Sequence, residues 1–172
     1  MCETLAVPLG PPRLESRDGF LIAGLRRRHI LEIDMGDILQ GVSRQWHSFR
    51  PRWKEVPQPI GKCTYGVCLR MHEGDVGFDY FCGMQVADTA WLPKGFSTLA
   101  IPALSYAIFR HTGPSSMLVN TYFTIFGKAL PDAGLTPASG TSGAPDFIEC
   151  FDQFYDIKTE MGGPEIMVPL KD

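Results

Sequence analysis

The chain has 172 residues, 44% of them hydrophobic and 20% charged, a make-up that fits one folded domain and does not indicate disorder. Its formal net charge of −3 leaves no overall basic field to hold a phosphate backbone, so direct binding to DNA or RNA is not expected. No stretch approaches the roughly 18 uninterrupted apolar residues of a membrane span and no leader pattern opens the chain, so neither a membrane protein nor a secreted one is expected, and a cytoplasmic setting is.

Residues 1–12, with Pro8, Pro11 and Pro12, read as an extended lead-in to a first strand from Phe20 to Leu25. Too little chain precedes that strand for a helix-turn-helix. The basic cluster Arg26-Arg27-Arg28-His29 that follows reads as a solvated turn or strand edge. A helix is expected from Asp37 to Phe49, where Ile38, Val42, Gln45, Trp46 and Phe49 recur at spacings of three and four; Pro51 ends it. Beyond Pro57 and Pro59, Cys63 to Leu69 and Phe78 to Val86 read as strands. Glu73-Gly74-Asp75 between them carries turn chemistry for an antiparallel hairpin.

Pro93-Lys94-Gly95 resets the pattern and the same unit recurs. Strand-like Phe96 to Pro102 and Tyr106 to Phe109 lead into Gly113-Pro114-Ser115-Ser116, a turn and helix N-cap. The second helix is expected over Met117 to Leu130, with Leu118, Tyr122, Ile125, Phe126 and Ala129 on one face and Pro131 closing it. A loop from Asp132 to Pro145, a candidate lid, precedes two last strands, Phe147 to Phe151 and Glu165 to Leu170. The chain thus reads as a single α+β domain over 1–172, made of two β-α-β-β modules at about 13–90 and 94–172. Neither module can bury both faces of a short sheet alone. They should therefore pack about a pseudo-two-fold axis, as an antiparallel sheet with two helices flanking a central cleft. On this register Trp46 and Phe126 are equivalent, Val42 matches Tyr122, and Glu165 lies near where Tyr80 lies. Trp91, between the modules, is placed to cap the seam or the cleft mouth.

The chemistry concentrates in Phe147-Ile148-Glu149-Cys150-Phe151, where a carboxylate interrupts an otherwise buried strand. Strand alternation puts Phe147, Glu149 and Phe151 on one face. Burying an ionised carboxylate without a partner costs more than the strand gains, so Glu149 must reach water, meet an internal donor, or wait for a cationic guest. Trp46, Tyr80, Tyr122 and Phe126 are candidate walls. The four histidines lack HxH or HExxH spacing and the five cysteines lack a CxxC pair, so no metal site is expected and the thiols read as reduced and structural. GxSxG, Walker A and GxGxxG contexts are missing too, and no cofactor is expected.

Several further strings share one order: Phe78-Asp79-Tyr80 with Gly83 and Val86, Ile101-Pro102-Ala103 with Tyr106 to Phe109, His111 with Gly113, Thr121-Tyr122, Pro145 to Glu149, and Glu165 to Pro169. Together they span nearly the whole chain, which resembles the GyrI-like, or AraC-type, effector-binding domain, also found as the drug-sensing part of some MerR-type regulators. The resemblance implies a duplicated β-α-β-β fold whose cleft takes hydrophobic, often cationic, small molecules. It places the family's buried cleft acid on Glu149 and the acid opening its final strand on Glu165. Cys150-Phe151 stands where members often carry a polar or aromatic, Tyr-containing continuation after that acid, and Met167 where some drug sensors carry an aromatic residue.

The leading expectation is a stand-alone binder of lipophilic cations, with Glu149, Glu165, Trp46, Tyr80, Tyr122, Phe126 and Phe147 around the ligand. An enzyme alternative uses the same cleft, with Glu149 and Tyr122 or Tyr80 activating water against a strained electrophile. A third reading makes the surface functional, as in a topoisomerase modulator, with the negative charge suiting a basic protein partner.

Overall fold

A strand buried on one face needs neighbours to its left and right, and the second half of this chain supplies them for the first. The computed structural model describes residues 7–30, 35–70, 76–88, 91–139, 143–152, 156, 158–159 and 161–172. Among these residues eight strands are seen: β1 (Arg13–Arg17), β2 (Phe20–Ile30), β3 (Pro59–Arg70), β4 (Gly77–Val86), β5 (Ser97–Ile101), β6 (Leu104–Arg110), β7 (Phe147–Phe151) and β8 (Glu165–Pro169). They form one curled antiparallel sheet in the order β1-β6-β8-β7-β3-β4-β2-β5. Outward from its middle, β3-β4-β2-β5 mirrors β7-β8-β6-β1, the pseudo-two-fold arrangement of an α+β duplication.

The leading strands are exchanged. β1 precedes β2 yet pairs with β6, and β5 precedes β6 yet pairs with β2. The sequence reading had no strand at β1, because Arg13-Leu14-Glu15-Ser16-Arg17 is polar and mostly exposed, as charged sheet edges are. Arg26 to Arg28 lie within β2, where Arg26 pairs with Asp79 at 2.5 Å. The turn at Glu73-Gly74-Asp75 lies outside the described residues.

Helix α1 runs from Met35 to Phe49 and, unlike the expectation, the chain stays helical past Pro51 as a 3-10 turn over Arg50–Glu55. Pro51 sits in the first two positions of that turn, where its missing N–H removes no hydrogen bond. The second helix enters through a 3-10 turn at Ser115–Met117 with no side-chain cap at Pro114. It continues as α2 (Leu118–Thr124), a π-helical stretch over Ile125–Ala129, and α3 (Leu130–Asp132). Pro131 therefore lies inside the last turn. It cannot donate to the carbonyl four residues earlier and would crowd it, and the widened π turn just before it relieves that conflict. Among the described residues no helix is long and apolar enough to cross a membrane.

α1 packs over β2 and β4 through Trp46, Phe49, Ala23 and Cys82, while the second helix packs over β6 and β8 through Ile125, Leu130, Phe109 and Val168. The opposite sheet face closes on its own cluster, including Val67, Phe81, Ile148 and Met167. The central pair β3–β7 is left uncovered between the two helices.

Gln45, inside the apolar face of α1, is fully buried and fully used. Its amide donates to the carbonyls of Leu25 at 3.0 Å and Tyr80 at 2.7 Å, and its oxygen meets His29 Nε2 at 2.8 Å. Gln45→Leu removes these three hydrogen bonds from a buried site. It is expected to cost about 1–3 kcal/mol in urea unfolding, and a cost near zero would show that water replaces the amide.

Candidate ligand-binding site

At the middle of the uncovered pair, Gly66 of β3 lies directly opposite Glu149 of β7. The two helices wall this floor to leave a cleft of about 820 Å³, within the range of small-molecule sites. Glu149 is 6% exposed. Its two oxygens are each taken by a phenol: Tyr80, from β4, donates to Oε2, and Tyr122, from α2, donates to Oε1. Trp46 Nε1 donates in turn to the Tyr80 hydroxyl at 3.2 Å, which extends the chain of hydrogen bonds to α1.

Aromatic planes surround this core. Tyr122 stacks on Phe147 with centroids 4.7 Å apart, and Trp46 meets Phe151 edge-on at 5.2 Å. Phe147 and Phe151 flank Glu149 on the cleft side of β7, as strand alternation requires, and all three line the cavity. Gly66 makes the arrangement possible. A Cβ there would overlap both the Tyr80 hydroxyl and Glu149 Oε2.

Burial pushes the Glu149 carboxyl above its ordinary range, and the two tyrosine hydroxyls, which stabilise the ionised form, oppose this only in part. Tyr80 and Tyr122 are held well above the ordinary phenol value, first by burial and then by the neighbouring carboxylate. No lysine or arginine among the described residues is hydrogen-bonded or ion-paired to Glu149.

The structure thus brings Glu149, Trp46, Tyr80, Tyr122 and Phe147 to one cavity. It does not bring Phe126, which packs behind Phe147 at 6.3 Å and joins the cluster under the second helix without lining the cleft. Tyr122 and Phe126 share a face in a regular α-helix, but Phe126 sits in the π turn, where the repeat is longer than 3.6 residues.

Glu165 is also placed elsewhere. It pairs with Cys150, not with Glu149, and so occupies the opposite sheet face, where it meets Arg13 at 3.2 Å and Arg110 at 3.5 Å. A one-residue offset from the Tyr80 position is enough to reverse the side of the sheet. Trp91 is 66% exposed and does not line the cleft. The described part of the candidate lid is tied to the end of the chain, through Ala138 N to Pro169 O and Lys171 N to Thr136 O, and does not line the cavity either. The sequence reading missed Gly66, whose signal was a glycine inside a strand pattern. It also missed the polar mouth residues Arg50 and Lys62.

A duplicated fold with an aromatic cleft over a buried acid defines a small-molecule binding domain. Residues 10–171 match the GyrI-like small molecule binding domain, and the chain belongs to that family. The transcriptional regulator BrlR of Pseudomonas aeruginosa is 29% identical over 113 residues, which cover 65% of this chain and 39% of that protein. The chain is thus matched to well under half of the regulator's length. Among solved structures, SAV2435 bound to tetraphenylphosphonium superposes with a TM-score of 0.71 at 14% identity, covering 96% of this chain and 94% of that one. A protein from Staphylococcus aureus MU50 gives 0.67 at 14% identity, covering 95% of this chain and 100% of that one. These structural likenesses concern the fold.

Proposed function

We propose that the cleft binds lipophilic organic cations, with Glu149 as counter-charge and Trp46, Tyr122, Phe147 and Phe151 as walls. The observation that carries this reading is the pairing of Glu149. Its carboxyl is buried in the middle of a sheet and, among the described residues, has only two phenols as hydrogen-bond partners, so ionisation there is favoured by a positive charge from outside. Delocalised cations suit such a site, because aromatic faces contribute roughly 0.5–2 kcal/mol each and the charge need not be met at a single atom. Tetraphenylphosphonium in the structurally similar SAV2435 is a ligand of this chemistry.

Charge and shape can be separated with an isosteric pair. Tetraphenylphosphonium is expected to bind saturably at micromolar levels in calorimetry with accompanying tryptophan quenching, whereas tetraphenylborate, nearly the same shape with the opposite charge, is expected to bind at least about 100-fold more weakly, since an anion beside Glu149 is unpaired and repelled. Equal affinities would leave an apolar cavity without a cation site.

A further inference from the structure

The charge in this cleft is not of one sign. Arg50, at the start of the 3-10 turn after α1, and Lys62, in the first half of β3, both line the cavity. Neither makes an ion pair or a side-chain hydrogen bond to any described residue. Asp152, which also lines this end, is ion-paired with Arg110 at 3.3 Å. Among the described residues the cleft therefore has a buried acid at its floor and two cations without an ion-pair partner, half-buried Arg50 and exposed Lys62, nearer solvent.

Those cations make little sense for a purely cationic guest. They raise the potential along its entry path and lower its local concentration. They suit a guest whose far end is anionic. Lys62 lies four residues from Gly66 in the chain, where the register of β3 shifts between Pro59 and Thr64, and both Lys62 and Glu149 line the one cavity. The walls between the two charges are apolar, with Trp46 and Phe151 in edge contact at 5.2 Å.

We infer that the cleft selects amphoteric ligands, with a lipophilic cationic head seated at Glu149 and a carboxylate or similar anionic group on a short apolar arm reaching Arg50 and Lys62. This rests on the cation reading of Glu149 and names the second half of the ligand. The head supplies the charge the floor requires, and the arm supplies the charge the mouth requires.

The test uses two phosphonium probes that differ only at the far end: (5-carboxypentyl)triphenylphosphonium and its methyl ester, titrated calorimetrically at neutral pH into wild type and into the double variant Arg50→Gln/Lys62→Gln. In the wild type the free acid is expected to bind about five-fold or more tightly than the ester, the gain of two partly exposed ion pairs. In the double variant, checked for an unchanged melting curve, the preference is expected to collapse to within about two-fold. An ester that binds wild type as tightly as the acid overturns the amphoteric inference and leaves the cation site standing. So does a preference that survives in the double variant. Binding of neither probe overturns both readings together.

Discussion

Glu149→Gln is expected to weaken tetraphenylphosphonium binding by about ten- to one-hundred-fold, the loss of a desolvated charge interaction of roughly 1.5–3 kcal/mol. Glutamine keeps the volume and one carbonyl acceptor for a tyrosine, so the cavity survives while its charge does not. The pH dependence separates this from a change of shape. Only the ionised carboxyl is a counter-charge, and burial holds its pKa above the ordinary 4.5. Wild-type affinity should therefore climb as pH rises through the raised value and then level, while the glutamine variant stays flat. Because a bound cation draws the pKa back down, binding in that window should release a proton, visible as a dependence of the calorimetric heat on the buffer's ionisation enthalpy.

Stability runs the other way. The folded state holds the Glu149 proton more tightly than the unfolded chain does, so its contribution is fully present below pH 4.5 and is lost as pH rises through the folded value. The ligand-free protein should melt lower across that window, and Glu149→Gln should remove this component of the slope. A wild type and variant with equal affinity at every pH would show that Glu149 is a structural acid held by its two phenols.

Gly66→Ala carries the second large expected effect. A methyl at this position overlaps the Tyr80 hydroxyl and Glu149 Oε2, and the strand cannot retreat because Gly66 is paired on both sides, with Cys82 and with Glu149. Overpacking of this kind costs about 1–3 kcal/mol, to be read from denaturant unfolding. Displacing Glu149 should also reduce cation binding as far as Glu149→Gln does. In Gly66→Ala/Tyr80→Phe the hydroxyl in the way is gone, so part of the stability should return while Glu149 still lacks one of its donors. If Gly66→Ala alone melts and binds as wild type does, the close packing of these three residues is not needed for the site.

The family plan was legible before any coordinates. β7 was placed over Phe147–Phe151, α1 within two residues of its start, and the β3–β4 hairpin in its observed pairing. The resemblance assigned the family's cleft acid to Glu149, and the side chain at that position is buried and lines the cavity. What misled was local evidence at points decided elsewhere. β1 is too polar to announce itself, and it forms because β6 offers an unpaired edge. The face of Glu165 depends on whether it lies opposite Cys150 or Glu149. Phe126 was set on the Tyr122 face by a 3.6-residue repeat that the π turn before Pro131 breaks.

By itself the sequence determined which residues share a side of each element: Phe147, Glu149 and Phe151 along one strand, and Val42, Trp46 and Phe49 along one helix. These are consequences of backbone periodicity, which acts over a few residues and needs no partner. Only the tertiary structure decided that Tyr80 and Tyr122, from opposite modules, both donate to Glu149. It also set Gly66 across from that acid, placed Arg50 and Lys62 in the lining of the same cavity, and put Glu165 on the far face. Those facts depend on strand exchange and pairing register, where a one-residue shift between segments distant in the chain reverses the side that every side chain faces.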